Sequence, residues 1–90
     1  MIVASTVPLR ADEVIHFPSG EFLCLHHLET GEYYLLDEVA ALIWELCDGV
    51  LDVDGIAGEV TRSFDVDDGT ALTDALELLR DLEAEDCLCP

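Results

Sequence analysis

The side chains of this chain best suited to chemistry are three histidines and four cysteines: His16, His26, His27, Cys24, Cys47, Cys87 and Cys89. Their spacing does not make a metal centre. Cys87-x-Cys89 is tighter than the usual zinc knuckle, and no second cysteine pair stands at zinc-ribbon distance. His26 and His27 are adjacent in a stretch of strand composition, where successive side chains point to opposite faces, so they do not chelate together. Asp52-Val53-Asp54-Gly55 and Asp65-Val66-Asp67-Asp68-Gly69 lack the ligand spacing of a calcium loop, and helix capping accounts for their acids. No nucleophile has a base to serve it. Ser5, Ser19 and Ser63 lie in no strand-to-helix elbow, and no glycine-rich loop cradles a phosphate. The expectation is a protein that is not an enzyme and carries neither metal nor cofactor.

Composition narrows the partners. The 90 residues hold 21 Asp+Glu against 3 Lys+Arg, a net charge of −18 without a single lysine. Hydrophobic residues nonetheless make up 51% of the chain and mean hydropathy is +0.33, which argues against a disordered acidic tail. Arg10, Arg62 and Arg80 are too few to displace phosphate counterions, so nucleic acid and anionic membrane surfaces are excluded as direct partners. No run approaches a membrane span, and MIVASTVPLR lacks the apolar core of a signal peptide, so a cytoplasmic protein with thiols rather than disulfides is expected.

The elements that must position any site follow from periodicity. Glu13 to Phe17, Glu21 to Leu28 and Glu32 to Leu36 read as strands, punctuated by Pro18-Ser19-Gly20 and by Glu29-Thr30-Gly31. In the second, Phe22, Cys24, His26 and Leu28 share one face, and Leu23, Leu25 and His27 the other. Asp37 then reads as an N-cap before VAALIWELC, a helix stopped by Gly49 as a C′ glycine. Asp52 or Asp54 caps a second helix with Val53, Ile56, Ala57, Val60 and Phe64 on one stripe. Asp67 or Asp68 caps a third, the longest, where Leu72, Ala75, Leu76, Leu79 and Leu82 form a stripe that Leu78 widens. The expected fold is α+β: a three-stranded antiparallel meander followed by three helices, β-β-β-α-α-α. One domain covers 1–90, with 1–11 loosely ordered, 12–36 forming the sheet and 37–84 the helices. Charge follows the same division. Residues 1–36 hold five acids and one arginine, a net of −4, and residues 37–90 hold sixteen acids and two arginines, a net of −14.

From Thr30 to about Leu82 the chain resembles the PqqD family of small peptide-binding proteins, also called RiPP recognition elements. The matching residues are Gly31-Glu32-Tyr33-Tyr34-Leu35-Leu36-Asp37, Ala40-Ala41-Leu42-Ile43-Trp44-Glu45-Leu46-Cys47-Asp48-Gly49, Val53-Asp54-Gly55-Ile56-Ala57 and Phe64-Asp65-Val66. Two departures stand out. Asp37 replaces a common Asn, an equally good cap. Ala84-Glu85-Asp86-Cys87-Leu88 lacks the glycine that usually follows the third helix.

The resemblance implies a winged-helix-like domain that binds the leader segment of a ribosomally made precursor peptide and presents it to a modifying enzyme. That enzyme would be a radical S-adenosylmethionine protein or a leader peptidase/cyclase system. An exposed strand edge can take up an extended peptide through its free N–H and C=O groups. The implied peptide-binding residues are Glu32, Tyr33, Tyr34, Leu35 and Leu36 on the third strand, with Leu72, Leu76, Leu79, Arg80 and Glu83 on the third helix. Which of Tyr33 and Tyr34 faces the peptide stays open, because a one-residue slip in register exchanges them. The bland readings are cross-strand aromatic packing for one tyrosine and simple core for the leucines. An alternative function is an acidic winged-helix interaction or regulatory module unconnected with peptide modification. A homodimer paired through the third strand is also open.

Overall fold

The computed structural model describes residues 1–90. Strands β1 (Val14–Ser19), β2 (Phe22–His27) and β3 (Tyr33–Leu36) are followed by helices α1 (Glu38–Glu45), α2 (Val53–Ser63) and α3 (Asp68–Ala84). The sheet is antiparallel in the order β1-β2-β3, so β1 and β3 are its edges. The expected order of elements and the α+β class hold. β1, however, runs through Pro18 and Ser19, and the turn is Gly20-Glu21, with Gly20 at φ +61°. Proline is tolerated there because β1 is an edge strand and its missing N–H faces away from the ladder.

One face of the sheet packs on the helices. Leu25, Ile43, Trp44, Val53, Ile56, Val60 and Leu79 are each at most 1% exposed and form the centre of the core. Each helix begins on an aspartate carboxylate. Asp37 accepts from Ala40 N–H at 2.9 Å, Asp52 from Gly55 N–H at 2.8 Å and Asp67 from Thr70 N–H at 2.8 Å. These bonds satisfy donors that a helix start leaves unpaired. The Thr70 backbone and hydroxyl donors hold the Asp67 carboxyl below its ordinary range.

α1 stops earlier than its sequence pattern suggests. It ends at Glu45 with Leu46 as cap, and Gly49, at φ +81°, serves the following turn instead of the C′ position. That end is capped from the other end of the chain. Arg10 Nη1 donates to the carbonyls of Trp44 (3.2 Å) and Glu45 (2.6 Å), taking the last acceptors of the helix.

The first eleven residues are docked, contrary to the expectation of loose order. Ile2 is 4% exposed, and the segment bonds across the helical layer at several points. Thr6 and Ala4 carbonyls accept from Val53 and Asp54 at the start of α2, and Ala11 N–H donates to Cys87. An apolar segment thus covers the helices while supplying acceptors to a helix start. The N-terminal amine lies 3.7 Å from Glu83, and Arg80 Nε donates to the Ile2 carbonyl at 3.1 Å.

Candidate peptide-binding edge and cleft

In an antiparallel ladder, alternate residues turn their backbone groups toward the partner or away from it. His27 N–H donates to the Glu32 carbonyl at 2.9 Å, which marks 27/32 as a hydrogen-bonded pair. With the observed register, 25/34 and 23/36 are then bonded pairs as well, and Tyr33 and Leu35 turn their N–H and C=O outward. No chain covers those groups. At the opposite edge the same logic, started from Leu28 N–H donating to Glu13, turns Val14, His16 and Pro18 outward. Val14 N–H is already spent on the Ala11 carbonyl and Pro18 has none. β1 is a blunted edge, and β3 is the open one.

Register also settles the two tyrosines. Tyr34 pairs with Leu25 and points to the helical side, while Tyr33 pairs with His26 and points to the outer face. Tyr33 and His26 stack with ring centroids 4.1 Å apart, and Tyr33 is 60% exposed. Leu36 shares the helical face with Tyr34 and is buried, whereas Leu35 is 61% exposed on the outer face. The Tyr34 hydroxyl donates to Glu85 at 3.0 Å, just past α3. Lost solvation, that bond to Glu85 and the nearby charges push the Tyr34 phenol up to about 12.

The backbones of β3 and α3 stay apart, and only side chains bridge them. Where β3 runs into α1, a cleft of about 240 Å³ is lined by Val39, Ala40, Ile43, Val66 and Leu78, with Asp37 and Asp74 at its mouth. The cleft is therefore apolar inside and acidic at the rim.

The residues of α3 expected to face the peptide divide differently. Leu79 is fully buried in the core. Arg80 and Glu83 hold the N-terminal segment, through Ile2 and the terminal amine. Leu72 lies four residues before Leu76, and Leu76 lies four before Arg80, so both belong to that same flank, where they are half-buried. The flank turned toward β3 carries Asp74, Leu78 and, beyond the helix end, Glu85. The sequence displays Leu78 only as a widening of the apolar stripe. A stripe so broad does not reveal which of its borders meets the sheet.

The outer face of the sheet is a second feature. Ile15, Phe17, Phe22, Tyr33 and Leu35 are all exposed there around the buried Cys24. His26 lies on this face and His27 on the other. No grouping of His, Cys, Asp and Glu side chains has the arrangement of a metal site. All four cysteines are free, and burial pushes the Cys47 thiol up to about 12 against the opposing influence of Arg10. No helix is long and apolar enough to cross a membrane.

A meander with one open edge, backed by three capped helices and flanked by an apolar cleft, defines a winged-helix-like domain of the kind that takes up an extended peptide. The model of one such family, "Coenzyme PQQ synthesis protein D (PqqD)", matches residues 23–88, and the chain belongs to the PqqD family. Among solved structures it is similar to TbiB1 in complex with the TbiA(beta) leader peptide. The identity is 29%, the match covers 89% of this chain and 93% of that one, and the TM-score is 0.78. It also shares the fold of a lasso peptide synthetase B1 complexed with its leader peptide, at 21% identity, with 94% and 100% coverage and a TM-score of 0.82. No curated protein matches.

Proposed function

We propose that this protein is a leader-peptide adaptor. It takes the leader of a ribosomally made precursor as a fourth strand on β3 and presents the precursor to a modifying enzyme. The observation that carries this reading is the open edge at Tyr33 and Leu35 beside the apolar cleft of Leu78. Backbone bonds to those two residues supply affinity, and the cleft supplies selection for an apolar side chain. Asp37 and Asp74 on its lining, with Glu85 further along against Tyr34, favour a leader with basic residues. The family membership and the leader peptide bound to the 29% identical TbiB1 support the assignment. From the original set, Glu32 to Leu36 remain the strand site. On the helix, Leu78, Asp74 and Glu85 take the place of Leu72, Leu76, Leu79, Arg80 and Glu83.

The enzyme is a radical S-adenosylmethionine protein or a leader peptidase/cyclase system, acting in the cytoplasm. The adaptor itself performs no chemistry. Calorimetry and amide-shift mapping with candidate leader peptides test the proposal. Shifts confined to 32–40, 66, 74–78 and 85 are expected. Shifts elsewhere, or no binding by any leader, would favour the acidic regulatory module instead.

A further inference from the structure

His27 is the one polar side chain buried with the core, at 3% exposure, and strand addition gives it no task. Its ring joins three pieces of chain. Nδ1 faces the backbone N–H groups of Glu29 (3.3 Å) and Thr30 (3.4 Å) in the turn between β2 and β3. Nε2 lies 3.1 Å from the Asp86 carbonyl. A carbonyl only accepts, and a nitrogen facing two donors must accept, so the ring is the neutral tautomer with its proton on Nε2.

These bonds reach both walls of the peptide groove. One wall is β3, whose first residues follow directly from the turn that Nδ1 holds. The other is the end of α3, where Asp86, held by Nε2, follows Glu85, held by Tyr34. The β3 and α3 backbones are not in contact, and at this end the side chains of His27 and Tyr34 bridge the sheet to the end of α3.

We infer that His27 is a positioning residue for the peptide groove and that protonation of its ring releases the groove. The inference rests on the strand-addition reading and adds a form of regulation to it. A proton on Nδ1 points at two N–H groups, so the imidazolium keeps its bond to Asp86 and must let go of the turn. The titratable groups that share the surface pocket with the ring are Asp12 and Glu13 ahead of β1, Glu29 in the turn, and Asp86 and Cys89 in the C-terminal segment. Acid pH is therefore expected to free the turn and loosen β3 against Glu85 without unfolding the core.

The test is an NMR titration of the free, full-length protein from about pH 7.5 to about pH 5, across the histidine range, in the wild type, His27→Gln and His26→Gln. In the wild type the amides of Glu29, Thr30, Tyr34 and Glu85 should shift with the midpoint of the His27 ring. The Tyr34–Glu85 proximity signal should fade, and exchange at the Tyr34 amide should rise by about tenfold. Glutamine offers one acceptor and one donor but no titration, so His27→Gln should abolish these shifts, and His26→Gln should keep them. The inference is overturned if the ring titrates while those amides stay fixed, if it stays neutral throughout, or if His27→Gln retains the transition. The coincidence of ring and amide midpoints in the wild type decides the matter even if the variant folds poorly. No peptide is present, so a failure here leaves strand addition standing, and a failure of peptide binding leaves this result intact.

Discussion

Leu35 is the residue at which backbone and side-chain contributions separate most cleanly. Its N–H faces outward and makes no bond to β2, so Leu35→Pro removes a donor that only an added strand would use. Peptide affinity should fall at least about tenfold, the cost of one or two backbone bonds, while circular dichroism keeps the native profile. Retained affinity would place the peptide elsewhere. Leu78 and Leu76 make a second contrast. Both are half-buried on α3, but only Leu78 lines the cleft. Leu78→Ala should weaken leader binding by about fivefold, near 1 kcal/mol of lost apolar contact. Leu76→Ala should leave binding within about twofold at a similar cost in stability. Equal effects from the two would show that the peptide does not distinguish the flanks of α3.

Among the elements, the end of α3 shows how a departure from the family pattern is accommodated. Just past the helix, Asp86 adopts φ +59°, the left-handed conformation that aspartate tolerates better than most residues. Asp86→Gly should relieve that strain and raise stability by about 0.5–1 kcal/mol, read as a higher midpoint in urea. A lower midpoint would mean that the carboxylate does something the backbone conformation does not reveal. At this scale the sequence was informative for a physical reason. Aspartate caps, turn glycines and the change from period 2 to period 3.6 are local signals, and β-β-β-α-α-α followed from them. The rotation of α3 was not legible, because Leu72, Leu76, Leu78, Leu79 and Leu82 span too wide an arc to show which border meets the sheet. The short α1 escaped for a different reason. Its end is capped by Arg10, a contact across 35 residues that no local pattern announces. The docking of residues 1–11 is of the same kind, since their carbonyls bond to the start of α2 far along the chain.

For the whole molecule, charge is the dominant variable. The helical half holds a net −14, and three of its acids, Asp37, Asp74 and Glu85, border the cleft or groove. A basic leader should therefore associate faster at low salt. Raising salt from about 50 mM to about 500 mM is expected to slow association by about tenfold, with a smaller effect on dissociation. Stopped-flow measurements check this. Rates indifferent to salt would confine the acids to solubility and capping.

The unequal edges of the sheet also limit how far strands can be added. With β1 left one outward donor, at His16, by Pro18 and by the Ala11–Val14 bond, growth is favoured at β3. Two copies meeting there would consume each other's open edge and leave only the blunted β1 edges outside, which favours a pair over a longer series. The same event would exclude the leader, which makes self-association and cargo uptake rivals for one seat. The mutual repulsion of two −18 chains weights that contest toward a basic cargo.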